Sequence, residues 1–146
     1  MSTAVSAARL GCKVALINDR PVVGGNNSSE IRVHLGGAIE IGKYPELGGL
    51  QKEFGPVKEG NAQPAGNYEA ETNVSLFLNY RAFSVKKEED RIISITACHI
   101  ESGEEIEFYG RLFADCTGDG TIGYLAGADY RMGRESRSEY GETIAP

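Results

Sequence analysis

Residues 111–128 read RLFADCTGDGTIGYLAGA, and this stretch decides the fold. It predicts a short buried strand over Leu112–Cys116, a glycine-rich turn over Thr117–Gly120, and then a helix of small residues. A strand that ends in glycines and opens a helix can place bare backbone N–H groups against an anionic ligand. Asp119 adds an acceptor for a hydroxyl group. Such a turn also serves packing alone in many α/β proteins, so both interpretations stay open.

Length and composition limit the class of protein. A chain of 146 residues builds one ordinary domain, and 40% hydrophobic with 25% charged residues is typical of a soluble globular protein. A net charge of -6 without a basic run argues against nucleic-acid binding. The sequence has no apolar stretch long enough to span a bilayer and no signal peptide, so we expect a cytoplasmic protein that contacts no membrane.

The cysteines and histidines fit neither a disulfide framework nor a metal site. The cysteines are odd in number and widely spaced. Cys12 and Cys116 stand beside apolar runs, which predicts buried free thiols. His34 and His99 lie far apart in the sequence and no carboxylate cluster accompanies them, so we expect no bound metal.

The order of the remaining segments predicts an α/β fold. A helix over Thr3–Leu10 ends at Gly11, and a buried strand over Lys13–Ile17 follows, which is half of a βαβ unit. Four further strands are predicted over residues 74–79, 82–86, 91–100 and 104–109, and the last three form an antiparallel meander. A helical turn is expected over residues 45–54, a loop over 55–67, and a tail without periodicity over 130–146.

Together these segments resemble the FAD-binding domain of FAD-dependent oxidoreductases of the glutathione-reductase structural type. The resemblance rests on the small-residue helix, the strand that ends in NDRP (residues 18–21), and the loop GGNNSS (24–29). It continues through the meander into FADCTGDG (113–120) and LAGA (125–128). The resemblance implies an α/β chain that is a single partial FAD/NAD(P)-binding domain over residues 1–146. This Rossmann-like domain would carry an inserted antiparallel β-meander at about residues 82–109 and would lack its first central strand.

The resemblance also implies a segment that precedes these residues. In that family a strand and a Gly-x-Gly-x-x-Gly turn come before the first helix and hold the FAD pyrophosphate. The implied place of that strand is between Lys13–Ile17 and Leu112–Asp115. We therefore expect an internal portion of a longer flavoprotein, whose remainder is its partner, with an unfilled slot between those strands. The isolated chain is expected to be inactive.

The resemblance implies FAD as the cofactor and gives roles to three groups of residues. Asn18 falls where the family has a Glu that binds the adenosine ribose, and Asp19 is the substitute candidate for that role. Arg20 would lie near the adenosine or phosphate. An ordinary turn explains these three residues as well. The loop beside the pyrophosphate, ribityl chain and flavin would comprise Gly24, Gly25, Asn26, Asn27 and Ser28. The Ala82 backbone would meet the adenine edge, and the opposite side would be formed by Thr117, Gly118, Asp119 and Gly120.

The catalytic prediction rests on the alternating stretch Glu30–Leu35. Alternation places Glu30, Arg32 and His34 on one face of a strand, and we predict Arg32 and His34 as catalytic candidates that line a substrate pocket. A half-exposed strand with a solvated polar face explains them equally well. The reaction implied by the resemblance is oxidation of a small organic substrate by hydride transfer to flavin N5. Two alternatives stay open: a nucleotide-binding module without flavin chemistry, and an inactive truncated fragment without a ligand.

Overall fold

The computed structural model describes residues 1–33, residue 43 and residues 71–144. The predicted helical turn over 45–54 and loop over 55–67 lie outside the described residues. The elements in chain order are α1 (Ser2–Arg9), β1 (Val14–Asn18), a 3-10 turn (Gly25–Asn27), β2 (Val74–Leu78), β3 (Tyr80–Glu88), β4 (Arg91–His99), β5 (Glu105–Tyr109), α2 (Thr121–Leu125) and α3 (Arg137–Tyr140). One parallel and one antiparallel sheet confirm the predicted α/β class.

β1 and β2 form a two-stranded parallel sheet. The register runs from Val14 opposite Val74 to Asn18 opposite Leu78, so the carboxyl ends of the two strands lie side by side. Parallel strands need a crossover connection between them, and α/β sheets bind ligands outside the carboxyl ends of such strands. A ligand site is therefore expected at the carboxyl edge of this sheet.

α1 packs on this sheet through small apolar side chains. Val5 has no exposed surface and packs with Val23, and full burial of a valine contributes about 1.5–3 kcal/mol. The helix ends where Gly11 takes a φ of 89° and donates its N–H to the Ala8 carbonyl at 2.9 Å. This is the left-handed residue after the helix that the sequence predicts. The Asn73 amide also donates to the Ala8 carbonyl, at 3.3 Å, which ties the helix end to the start of β2.

The order β3-β4-β5 confirms the predicted antiparallel meander. Val85 lies opposite Ile95 and Ile95 opposite Phe108, so one face of the sheet is apolar, and Ala97 at its centre has no exposed surface. The Phe108 ring meets Phe77 of β2 edge to face, with ring centroids 4.7 Å apart. This aromatic contact joins the two sheets.

α2 packs against β3 of the meander. Ile122 is 7% exposed at this contact. The Lys87 ammonium of β3 donates to the Ala126 carbonyl at 2.7 Å, at the end of α2 where a cation complements the helix dipole. The glycine turn before α2 is thus anchored to the meander.

The predicted buried strand over 112–116 is wrong. These residues form no strand, and Leu112 is 91% exposed. β1 pairs with β2 and not with 112–115. Within residues 1–33 and 71–144 no neighbouring strand offers hydrogen bonds to 112–116, and an apolar segment without a paired neighbour has no ladder to join.

Two further predictions are corrected. Cys12 and Cys116 are exposed thiols rather than buried ones, because Cys12 follows the end of α1 and Cys116 belongs to the unpaired segment. The tail is not wholly irregular, since it contains α3. A helix of four residues is too short to show a periodic pattern in the sequence.

Candidate functional site

Asn18 ends β1 at the carboxyl edge of the parallel sheet. Its Nδ2 donates to the carbonyl oxygens of Arg20 and Val22, both at 2.9 Å. The Arg20 carbonyl also accepts the Asn79 backbone N–H at 3.2 Å, which links this turn to the residue between β2 and β3. Among the described residues nothing donates a hydrogen bond to Asn18 Oδ1. The side chain therefore builds the turn with its amide nitrogen and keeps one free acceptor.

The two residues after Asn18 lie at the surface. Asp19 is exposed. The Arg20 guanidinium lies 3.4 Å from the Glu30 carboxylate, and both side chains are partly exposed, so this ion pair contributes little stability. Its effect is to connect the turn after β1 with the loop that follows.

Glycine is required at the start of the next loop. Gly24 has a φ of 118°, and a Cβ there would lie 3.2 Å from the backbone of Ser28. Gly25 has a φ of 56° and open space beside it. Ser28 is fully buried, and its Oγ accepts the Glu30 backbone N–H at 3.3 Å. The chain thus makes a tight, closely packed bend over residues 24–28.

The asparagines of this bend differ in what their side chains do. Asn27 Nδ2 donates to the Val33 carbonyl at 2.8 Å. The Val33 backbone N–H donates to the Asn26 carbonyl at 2.8 Å, while the exposed Asn26 amide makes no side-chain hydrogen bond to the described residues. The loop holds its shape through its own hydrogen bonds and leaves the Asn26 amide group available.

The predicted strand over Glu30–Leu35 is wrong in its described part. Residues 29–31 form a turn, residues 32 and 33 belong to no strand, and Arg32 has a φ of 62°. Arg32 donates its backbone N–H to the Ser28 carbonyl at 2.8 Å and its Nε to the Ser29 carbonyl at 3.0 Å. A residue in the left-handed region cannot continue a β-pleat, so the alternation does not place polar side chains on one face. His34 lies outside the described residues, and the catalytic roles of both residues stay predictions.

The glycine turn over 117–120 has a preset shape. Gly118 and Gly120 have φ values of 89° and 68°, and a Cβ at either would meet nothing within 4 Å. Thr117 Oγ1 accepts the Thr121 backbone N–H at 2.9 Å and so caps the start of α2. Asp119 is exposed, with no side-chain hydrogen bond to the described residues. The turn presents open backbone and one free carboxylate.

The Asp115 carboxylate accepts hydrogen bonds from both sides of this turn, and the sequence analysis did not single it out. Its Oδ1 accepts the backbone N–H and hydroxyl of Thr117 at 3.0 and 2.8 Å, and its Oδ2 accepts the Gly123 N–H at 2.9 Å. Partial burial raises the pKa of Asp115, but hydrogen bonds from Gly123, Thr117 and Ile122 outweigh it and lower the pKa below its ordinary 3.8. The amides at the start of α2 are therefore not bare, because the chain's own side chains take them.

A second signal was also missed in the sequence. Gly118, Gly120 and Gly123 have the spacing Gly-x-Gly-x-x-Gly, which in dinucleotide-binding proteins places N–H groups at a pyrophosphate. In the structure the third glycine donates its N–H to Asp115, and no strand precedes the turn. The spacing is therefore present without the strand–turn–helix context in which it binds phosphate.

Ala82 lies in β3 opposite Ala97 of β4, and a register shift follows between Ala82 and Ser84. Hydrogen bonds join the 18–22 turn to Asn79, which directly precedes β3. The 117–120 turn reaches β3 from the other end of the strand, through α2 and Lys87. Within the described ranges no hydrogen bond or ion pair joins the 18–28 group directly to the 117–120 group.

Two cavities lie apart from all of these residues. One of about 390 Å³ is lined by the tail between Arg131 and Glu139. The other, of about 480 Å³, opens between the amino ends of β1 and β2 and the end of β5. No predicted site residue lines either cavity. The polar groups that follow β1 and precede α2, rather than the size of a cavity, therefore indicate the candidate site.

No group of three or more His, Cys, Asp and Glu side chains in the described ranges is placed to hold a metal ion. Nor do residues 1–33 and 71–144 contain a helix with the length and apolar character needed to cross a membrane.

The comparison with protein families gives one match. The family model described as FAD dependent oxidoreductase matches residues 58–146, which include the meander, Asp115 and the glycine turn. No curated protein and no solved structure matches the chain.

Proposed function

The chain belongs to the FAD dependent oxidoreductase family, and we propose that it forms part of an enzyme that oxidises a small organic substrate by hydride transfer to flavin. The observation that carries this proposal is the family match over residues 58–146, which contains the glycine turn with its open backbone. The single partial FAD/NAD(P)-binding domain and FAD itself are parts of the same proposal.

The chemistry of the donors and acceptors fits a dinucleotide. Hydroxyl groups of a ribose or ribityl chain need acceptors, and Asn18 Oδ1 and the Asp119 carboxylate are acceptors without protein partners in the described ranges. Glycines let a ligand approach the backbone, and Gly25, Gly118 and Gly120 have open space beside them. Bound FAD would supply the ring that takes up a hydride, while these residues would bind and orient it.

We propose the remainder of a parent flavoprotein as the partner of this chain. β1 is paired along one edge only among the described residues, and 112–116 is an apolar segment with no strand beside it. A parallel strand between them would provide hydrogen bonds for both. Inspection of the DNA upstream of the Met1 codon tests this: an in-frame apolar strand followed by Gly-x-Gly-x-x-Gly supports it, and an unrelated frame contradicts it.

FAD binding tests the cofactor directly. Flavin fluorescence is titrated with the purified chain, alone and co-expressed with the upstream-encoded segment, and ADP and NAD are titrated in parallel. Gly118→Ala is compared with Gly133→Ala, a matched control, because the two glycines have φ values of 89° and 87° and both have open space for a Cβ. The two substitutions therefore cause equal backbone strain. Only the methyl group added at position 118 would collide with the proposed ligand.

The outcomes separate the candidate functions. Stoichiometric FAD uptake that is lost in Gly118→Ala and kept in Gly133→Ala supports the proposal. Binding of ADP or NAD without flavin would instead indicate a nucleotide module of another kind. Absence of nucleotide binding in every preparation would indicate an inactive fragment and overturn the proposed flavin-dependent function.

A further inference from the structure

We propose that Asn18 is a positioning residue that only an amide can fill, because its two N–H groups shape the turn beside the candidate site. The inference rests on the proposed function for its relevance to a nucleotide, since that turn borders the proposed site. The structural role of Asn18 in the turn depends only on the hydrogen bonds of its side chain. It also narrows the role implied by the family resemblance, in which Asn18 contacts the adenosine ribose.

Both amide protons of Asn18 are committed to the chain. Nδ2 donates one hydrogen bond to the Arg20 carbonyl and one to the Val22 carbonyl, each at 2.9 Å. An amide nitrogen has two protons, so none remains for a ligand. Asn18 Oδ1, which has no partner in the described part of the chain, is left as an acceptor. Toward a hydroxyl-bearing ligand the side chain can therefore act only as an acceptor, through Oδ1.

An acid of the same shape would break this turn. Asp at position 18 replaces the donating NH2 with an oxygen that faces two carbonyl oxygens at hydrogen-bond distance. Such contacts are repulsive, and they leave the half-buried Val22 without its donor. The Arg20 carbonyl, which also holds the Asn79 N–H, would shift away. Replacing Asn18 with an acid therefore loosens the site instead of giving it a stronger acceptor for a ribose.

The experiment compares Asn18→Asp with Asn26→Asp in the full chain by amide hydrogen exchange. Asn26 is the matched control because it lies in the same connection, is exposed, and makes no side-chain hydrogen bond to the described residues. At pH 7 we expect exchange at the Asn79 amide to rise about tenfold in Asn18→Asp, because an exposed and a part-buried hydrogen bond are replaced by repulsive contacts, and to stay unchanged in the control.

Acidification provides a readout specific to the missing donor. A carboxyl facing two carbonyl oxygens has a raised pKa in the folded state, so stability returns as pH falls through that raised value and the protonated group donates again. The other titratable groups near the turn are Asp19, Arg20 and Glu30, which the control also contains. Recovery of Asn79 amide protection on acidification in Asn18→Asp, and not in Asn26→Asp, supports the inference. Equal Asn79 exchange in wild type and Asn18→Asp across pH 4 to 8 would overturn it.

FAD titration of the same proteins separates this inference from the proposed function. If wild type binds FAD, Asn18→Asp should lose affinity about tenfold at pH 7 and regain it on acidification. Unchanged affinity in Asn18→Asp would overturn the positioning role. If wild type binds no nucleotide but its Asn79 amide responds as described, the proposed function fails while the structural role of Asn18 stands.

Discussion

Replacing Asp115 with Asn should loosen the glycine turn without disturbing the meander. The carboxylate accepts three hydrogen bonds at 2.8 to 3.0 Å, two from Thr117 and one from the Gly123 N–H. An amide of the same size has one acceptor oxygen, and its NH2 must then face Thr117 or Gly123, both of which donate. At least one donor loses its partner, and the two ends of the turn are no longer held by one group.

The solvent exposure of Asp115 determines how much stability the substitution removes. Hydrogen bonds to a charged group contribute about 1.5–3 kcal/mol each when buried, so three would exceed 4 kcal/mol by simple addition. Asp115 is exposed, and solvent screens its interactions, so that sum is too large. The substitution resembles loss of a helix cap, which costs about 0.5–2 kcal/mol. We expect local destabilisation of about 1–2 kcal/mol, which is a roughly 5- to 30-fold change in the open population.

Amide hydrogen exchange at Gly123 measures this change. The lowered pKa of Asp115 means that the stabilisation is complete above pH 3.8 and is lost as pH falls through the lower folded-state value. Wild type should therefore lose protection in acid, while Asp115→Asn should be poorly protected throughout. Asp119→Asn is the control, because that exposed carboxylate makes no hydrogen bond to the described residues. Protection of Gly123 within twofold of wild type in Asp115→Asn at neutral pH would refute the reasoning.

Three other changes test separate parts of the structure. Gly24→Ala should destabilise the loop by about 1–2 kcal/mol in denaturant unfolding, because a Cβ at φ 118° lies 3.2 Å from the Ser28 backbone; unchanged stability contradicts this. Ser94→Ala should raise the pKa of Glu107 toward its ordinary value, because the Ser94 hydroxyl is the main group that lowers it; an NMR carboxyl titration checks this. Lys87→Met should weaken α2 by about 0.3–1 kcal/mol, seen as faster amide exchange in its last turn, and unaltered exchange argues against the contact.

Local patterns predicted the elements that depend on neighbouring residues. The β3–β5 meander follows from alternation and short polar turns, and Gly11 ends α1 because a left-handed residue suits that position. Arg32 shows where alternation fails, since its left-handed φ is stabilised by hydrogen bonds to Ser28 and Ser29. The periodicity of side chains carries no information about those backbone contacts.

Site residues were harder to predict because side-chain hydrogen bonds decide their roles. The resemblance implied Asn18 as a contact to the adenosine ribose, but its amide nitrogen is used by the turn. Asp115 was overlooked because it lies in an apolar run, although an acid shortly before a helix start is a capping signal. Reading each polar residue first as a partner for nearby backbone groups would have found both roles.

The unpaired segment 112–116 is the least satisfied part of the described fold. Its apolar side chains have the pattern of a buried strand, yet Leu112 is 91% exposed and the segment forms no ladder. Exposed apolar surface and unpaired backbone both cost free energy that native proteins rarely leave unbalanced, because their total stability is only about 5–15 kcal/mol. β1 leaves one edge unpaired among the described residues, and a further parallel strand there would give its backbone groups hydrogen-bond partners.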